Sequence, residues 1–455
     1  MAGTITSLGI GSGIDLQGVL DKLKAADQVP ITGMRTRKLQ YEDQLVEFRK
    51  VNSQLLTVKN LALELTLEGT FGAKSVTSSQ AEVLGASADE TASAGSHTVT
   101  VSRLAKRNSW QSSGVASATT SVVTASGSFT YTVDGTQTTL TLTPGMTLQQ
   151  LADAINDDED NPGVTATVMD DGTGSGTAYH LVLTSDETGE DNAITIDTNG
   201  STLTLSEVQA AGTLDALVTI DGITYQRGTN TISDVIAGVT LTLQGEGTST
   251  VRVTADTDTV KSKIMGLVDA YNDVVQEISA NSGYDFDTGI GGSLNGVGVF
   301  RDVVSDINQT LVSPIEGLGG AYDSFGAIGL TFNRNGTVTV DEATLDAALA
   351  SNLDDVKKLF VGEGDVDGLA VALNDRLRDI TKPSGGLIAS EIDRVQSAVD
   401  RLEEDIAQAT ERLDRRYETL ARQFAQMDEI MAELQSQGTY LATQFESLNS
   451  LWSGK

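Results

Sequence analysis

Between Leu387 and Gln437 the chain reads LIASEIDRVQSAVDRLEEDIAQATERLDRRYETLARQFAQMDEIMAELQSQ, with neither Gly nor Pro. Through it Ile392, Val399, Ile406, Leu413, Leu420, Met427 and Leu434 recur every seven residues, and Leu441 and Leu448 continue the row. A second row begins as Val395, Leu402 and Ala409 and resumes one position later as Tyr417, Phe424, Met431, Phe445 and Trp452. A seven-residue repeat held this long drives a helix to supercoil with a partner helix. At 1.5 Å per residue, Ile392 to Leu448 spans roughly 85 Å, more than a small domain needs. The stripe is therefore either the core of a long bundle or a seam for helices of other chains.

Working outward, the other end of the chain carries matching material. Residues 1 to 13 are small and polar for the most part and read as flexible. Asp15 then reads as a helix N-cap, with Leu16, Val19, Leu20 and Leu23 forming one apolar face. Pro30 is expected to interrupt that helix. A second helical pattern resumes at Met34, runs through Leu45, Phe48, Leu55, Val58, Leu61 and Leu65, and stops near Gly69 and Gly72. Two amphipathic ends that pair with each other require the middle to fold as insertions. The expected partner-binding seam is Leu16, Leu20 and Leu23 with Leu413, Leu420, Phe424, Met427, Met431, Leu434, Leu441, Phe445 and Leu448.

After Thr70 the texture changes to short alternating runs of Thr, Val, Ser and Gly, as in His97 to Val101, which read as strands. A repeat lies inside this region. Tyr131-Thr-Val-Asp-Gly135 is followed by Thr147 to Ile155 and the strand Val164 to Val168. Val218-Thr-Ile-Asp-Gly222 is followed by Thr231 to Ala237 and the strand Val239 to Leu243. Asp-Gly is a tight-hairpin signal, so each copy reads as hairpin, short helix, strand. From Asp258 helical patterning returns, with a glycine-rich loop at Gly289 to Gly298, a hairpin at Asn335-Gly336 and a helix from Leu345 to Phe360. This second helical block is expected to pack on the helix at residues 41 to 68.

Composition narrows the function. With 455 residues the chain exceeds what one core holds, and 39% hydrophobic residues are ample for burial. Cysteine is absent, which removes disulfides and thiolate chemistry together. No stretch approaches a membrane span, and the start lacks the basic and apolar regions of a cleaved signal, so either the chain stays in the cytoplasm or it leaves by another route. A formal charge of −33 argues against nucleic acid. No Lys or Arg occurs from Gln111 to Gln226, whereas both helical ends carry mixed charge suited to side-by-side packing.

Candidate chemistry is sparse. His97 and His180 lie in strand-like runs without a nucleophile and base beside them, so both read as structural. Asp285, Asp287 and Gly289 echo a calcium loop, but Ile290 stands where its turn glycine belongs and Gly296 where its bidentate Glu belongs. Asp287-Thr288-Gly289 matches the aspartic-protease triplet only in three residues. Asp157 to Asp160 reads as a solvated acidic loop. Gly172, Gly174 and Gly176 lack the Lys-Ser/Thr that a phosphate loop requires. No catalytic, cofactor-binding or metal-binding residue is expected, and the chain reads as something other than an enzyme.

Gly9-Ile-Gly-Ser-Gly-Ile-Asp-Leu16, leading to Ala25-Ala-Asp-Gln-Val-Pro-Ile31, resembles the opening signature of the flagellar filament cap family, hook-associated protein two. Met427-Asp-Glu-Ile-Met431 through Tyr440-Leu-Ala-Thr-Gln-Phe445 is similar to its closing signature. The unit at Val218 to Leu243 is similar to a module shared by flagellin-related axial proteins. The resemblance implies an α+β multidomain fold, with long terminal coiled-coil helices, a helical body and inserted β-rich modules. Residues 1–40 and 405–455 would form the leg, 41–75 and 257–404 the body, 76–110 and 213–256 an inner β-rich module, and 111–212 an outer one. It implies a ring of about four to six copies at the distal tip of the flagellum, outside the cell. There it would retain exported flagellin and promote its folding and polymerisation. Partners would be flagellin, further copies, the flagellar export apparatus and an export chaperone, with no cofactor and no nucleic acid. A host surface is a further candidate partner of the acidic modules. A surface adhesin, or another axial protein such as a hook-filament junction adaptor, stays open as the alternative.

Overall fold

The computed structural model describes residues 13–286 and 289–453. Its helices in chain order are α1 (Leu16–Glu64), α2 (Glu68–Gly72), α3 (Leu148–Asn156), α4 (Thr257–Ser282), α5 (Val299–Val312), α6 (Glu342–Ser351), α7 (Leu353–Val361), α8 (Leu369–Thr381) and α9 (Leu387–Ser453). The chain divides into two compact units, one made of residues 1–67 and 261–455, the other of residues 68–260. The class is α+β, with several β-sheets inserted between long helices.

In the helical unit, α1 and α9 run antiparallel. Lys24 Nζ lies 2.9 Å from Asp414 Oδ1, and Lys38 Nζ lies 3.6 Å from Glu403 Oε2, so rising numbers on one helix meet falling numbers on the other. Asp15 caps α1 by accepting the Gly18 N–H at 2.8 Å. The helix does not stop at Pro30: it continues as one element to Glu64. Pro30 removes one backbone donor, yet Ile31 beside it is buried in a cluster with Leu20, Leu413 and Tyr417. That packing keeps the helical path where local propensity alone would end it. Around Pro30, the Thr32 hydroxyl donates to the Gln28 carbonyl and the Thr36 hydroxyl to the Thr32 carbonyl.

The second half of α1 is the spine of the helical body, as the pattern at residues 41 to 68 predicts. Phe48, Val51, Leu55, Val58, Ala62 and Leu65 are fully buried. Phe48 meets Phe300 of α5 edge-on, ring centroids 5.0 Å apart. Asn272 of α4 brackets the Leu330–Phe332 and Val338–Val340 hairpin, donating to the Val338 carbonyl at 2.8 Å and accepting its N–H at 2.7 Å. The helix expected from Leu345 to Phe360 is two. Asn352 leaves the helical region at φ −144° and ψ 57°, so α6 ends there and α7 starts afresh.

The β unit has two cores. The first is held by a five-stranded antiparallel sheet in the order Lys74–Ser78, Gly247–Ala255, Gly95–Arg103, Ala216–Ile220, Ile223–Arg227. Against it sits a three-stranded sheet of Thr231–Ile236, Val239–Leu243 and Leu84–Ala88. The second core joins a four-stranded sheet in the order Leu205–Gln209, Arg107–Ser112, Tyr179–Thr188, Val164–Asp170 to a three-stranded one of Thr136–Leu142, Gly127–Val133 and Thr195–Asn199.

Both Asp-Gly pairs turn two-residue hairpins. Asp134 and Gly135 have φ of 48° and 71°, and Asp221 and Gly222 have 49° and 90°, the left-handed values that such turns require. The two copies then diverge. In the first, Thr147 and Gln150 form a capping box, and Leu148, Leu151, Ala152 and Ile155 bury one face of α3. In the second, Thr231–Ile236 is a strand paired to Val239–Leu243, not a helix. Its Thr231, Ile232, Val235 and Ile236 are β-branched, and it lacks the capping glutamine, so the sheet wins.

Tyr131 is buried in the second core, and its hydroxyl finds no hydrogen-bond partner among the described residues. Burial, with a smaller effect from the Asp158 charge, pushes the phenol up to about 12. In an unfolded chain it titrates near 10. Below pH 10 both states keep the proton and the group is neutral to stability. Between 10 and 12 the unfolded chain gives it up and the folded chain does not, so stability falls as pH rises, by up to about 3 kcal/mol. Tyr131→Phe removes both the orphan hydroxyl and this loss. Urea unfolding at pH 8 and at pH 11 to 12 should show a smaller alkaline drop in the variant; an equal drop would refute the assignment.

Candidate partner-binding seam

The paired ends form a leg whose geometry comes from one phase of spacing. Leu16, Leu20, Lys24, Asp27, Ile31, Met34 and Lys38 follow steps of three and four along α1, and from Leu20 to Lys38 this row faces α9. Leu16, Leu20 and Ile31 are buried, as are Leu413 and Tyr417, while Met34, Ile406, Ala409, Leu420, Ala421 and Phe424 are half-buried around them. Leu23 stands one position off this phase and is exposed. The polar members of the row set the register. The Tyr417 hydroxyl donates to Asp27 Oδ2 at 2.8 Å, and the Arg416 guanidinium lies 3.1 Å from the same oxygen. Burial, then the bond to Asp27, raises the Tyr417 phenol above its ordinary value. Such pairs add little stability at a surface, but they penalise a slipped pairing.

The register also shows where the partnership ends. Lys24 opposite Asp414 and Lys38 opposite Glu403 place the start of α1 near Phe424. From Ile430 to Ser453 α9 extends by about 35 Å past that point. Met431 is half-buried, but Met427, Leu434, Leu441, Phe445 and Leu448 stay exposed. Leu434 is 61%, Phe445 70% and Trp452 89% accessible. Thus the heptad row is covered by its own chain over one half and left open over the other. Phe445, Leu448 and Trp452 line a shallow groove with Glu446 and Asn449. A second groove runs between the two helices, floored by Leu39, Ile406, Ala407 and Thr410 and rimmed by Arg35, Lys38, Glu403 and Glu411. Arg416, Gln423, Gln437 and Gln444, the polar positions on the second row's original phase, are all exposed.

Reading from sequence left out Ile31 and Tyr417 as seam residues. For Ile31 the signal was the unbroken three-four spacing through Pro30, and for Tyr417 the resumption of the second row. The signature residues Gly9 to Ser12, and Asp287 and Thr288 of the faint calcium and protease patterns, lie outside the described residues.

The histidines have structural partners. His97 Nδ1 lies 2.7 Å from Asp221 Oδ2, and the Thr98 N–H reaches the other oxygen at 2.8 Å, tying an Asp-Gly turn to the neighbouring strand. The His97 bond holds the Asp221 carboxyl below its ordinary range. His180 Nδ1 donates to the Ser112 carbonyl at 2.9 Å. Among the described residues no three acidic or histidine side chains converge as metal ligands, and no helix is long and apolar enough to cross a membrane.

Comparison with known proteins agrees with this architecture at both ends. Residues 12–108 match the N-terminus, and residues 213–436 the C-terminus, of flagellar hook-associated protein 2. The flagellin hook IN motif matches residues 128–187, which hold the first of the two internal copies, and the second, at Val218 to Leu243, falls within the C-terminal match. Flagellar hook-associated protein 2 of Escherichia coli (strain K12) is 28% identical over 471 residues, covering 98% of each chain. That of Aeromonas caviae is 27% identical over 466 residues, covering 96% of this chain and 98% of its own. Among solved structures, the D1-D2-D3 domains of the flagellar cap protein FliD from Escherichia coli align with a TM-score of 0.56 at 25% identity. They cover 77% of this chain and 99% of that one.

Proposed function

The chain belongs to the flagellar hook-associated protein 2 family, and from that premise we propose that it caps the distal tip of the flagellar filament as a ring of several copies. There it retains exported flagellin and promotes its folding and insertion. The family is structural and the chain is not an enzyme, so its work is done by binding. The observation that carries the reading is α9: a stripe of large apolar residues left exposed over about 35 Å of a helix whose other half is already paired. Exposed apolar surface of this extent and period marks a helix-binding face. Terminal helices of flagellin, or of the filament end they build, fit that face. The absence of cysteine suits passage from a reducing to an oxidising compartment, consistent with delivery outside the cell by the flagellar export apparatus, with an export chaperone covering the stripe on the way.

A cap must release its grip as each subunit adds. Gln437 and Gln444 interrupt the second row on the open half of α9, which favours a reversible contact over a permanent zipper. Gln437→Leu with Gln444→Leu should tighten that contact by about 1 kcal/mol per site and slow filament elongation while secretion stays normal. Unchanged elongation would sink the exchange mechanism.

The function itself is tested by deleting the gene and following flagellin. Flagellin should be secreted but stay soluble, with filaments restored by the intact gene. Normal filaments in the deletion strain would refute capping and bring the adhesin reading forward.

A further inference from the structure

Away from the leg, the helical unit carries a concave surface between α4, α5 and the loop at residues 333–337. Its floor is apolar, made by Val275, Ile278, Val297 and Val304, and Arg301 and Arg334 stand beside it. None of its lining residues is acidic, in a chain with 63 Asp and Glu against 30 Lys and Arg. Both arginines are exposed, and neither forms an ion pair among the described residues. Two exposed guanidiniums, without an ion pair among the described residues, over an apolar trench fit an apolar side chain flanked by carboxylates, because a planar guanidinium binds carboxylate through paired N–H donors.

The β unit presents that complement. Met169 is 52% exposed near the end of Val164–Asp170, an outer strand of its sheet, and Asp170 and Asp171 follow it directly. Asp171 accepts the Thr173 N–H at 2.9 Å and the Thr173 hydroxyl at 2.7 Å on one oxygen, which fixes its carboxylate two residues beyond the methionine, while His180 Nε2 lies 3.8 Å from the other oxygen. These bonds, chiefly the hydroxyl, also hold it ionised by lowering its pKa.

We propose that the Arg301/Arg334 trench of one copy receives the Met169-Asp170-Asp171 corner of the next copy, as a head-to-tail contact between different surfaces. The inference rests on the ring reading given above. A contact of this heterologous kind repeats around a closed assembly, each copy offering one surface and occupying the other. Its charge pairs make assembly steep in salt and reject neighbours in the wrong register.

The test is a charge swap in the full-length chain. Arg301→Glu with Arg334→Glu makes the trench repel its target, and Asp170→Lys with Asp171→Lys makes the corner repel it. Each variant alone should self-associate about tenfold or more weakly than the natural chain in sedimentation at low salt. An equimolar mixture should associate again, because each trench then meets an opposite charge. Melting temperatures establish that both variants are folded. Because the chain has no cysteine, Ser305→Cys on the trench lining carrying a photo-crosslinker reports from that position alone with both arginines kept, and its intermolecular crosslinks should fall within residues 164–188. Association of the trench variant at natural strength, a mixture no stronger than its folded components, or crosslinks elsewhere would each overturn the contact while leaving the ring standing. A natural chain that stays monomeric at every concentration would overturn the ring itself.

Discussion

A chain carrying Leu434→Asp, Leu441→Asp and Leu448→Asp together is expected to fold normally and to lose filament assembly altogether. All three side chains are more than half exposed and spaced seven apart on the open half of α9. In the free chain, replacing exposed leucines changes stability little, by about 0.5 kcal/mol or less at each site. On binding, each leucine buried against a partner helix contributes about 1.5–3 kcal/mol. Three aspartates forfeit all of that and add the cost of burying unpaired charge. The contact would therefore weaken by several orders of magnitude while helicity and melting temperature stay put. Flagellin should then appear in the medium as monomer, as in a strain without the gene. Normal filaments from this variant would remove the exposed stripe from the mechanism.

Phe48→Ala should have the largest effect on stability. Phe48 is fully buried on α1 and packs edge-on against Phe300, so truncation loses the transferred ring area, the aromatic contact and the fit of the cavity left behind. Such substitutions cost about 3–5 kcal/mol, a large part of what a typical domain possesses. For a unit of this size the unfolding transition should fall by on the order of 10 °C. Calorimetry of the full chain measures it directly, and a drop under about 2 °C would contradict the packing described.

The two predictions separate what α1 and α9 do inside the chain from what α9 does beyond it, and the sequence announced these unequally. The heptad row alone establishes a helix far longer than a domain, because a seven-residue period has no other economical solution. Both Asp-Gly pairs were legible as hairpins, since few other residues tolerate the left-handed angles at Asp134 and Asp221. Pro30 was misleading: proline breaks a helix when only local bonds hold it, and here Ile31 and its neighbours hold it from the side. Thr231 to Ala237 was misleading in the opposite sense, an apparent copy of α3 whose β-branched residues found a strand to pair with. In the seam, Leu23 was hydrophobic but out of phase, while charged Lys24 and Lys38 were in phase, so hydrophobicity was a poorer guide than spacing. The half of α9 that stays open could not be told from the half that is covered, since both carry the same repeat. Only the register set by Lys24, Asp27 and Lys38 shows where α1 stops.

In the proposed role the chain sits at the growing end of the filament and stays there. Because it contains no cysteine, one cysteine placed on an exposed turn of the β unit away from the Met169–Asp171 corner, such as Ala211→Cys, takes a single fluorophore without competition. Filaments stained in a second colour can then be watched as they lengthen on living cells. One bright spot is expected at the distal end of each filament, moving away from the cell as new flagellin fills in behind it. A spot that stays at the filament base, label spread along the shaft, or label on the cell body would contradict it.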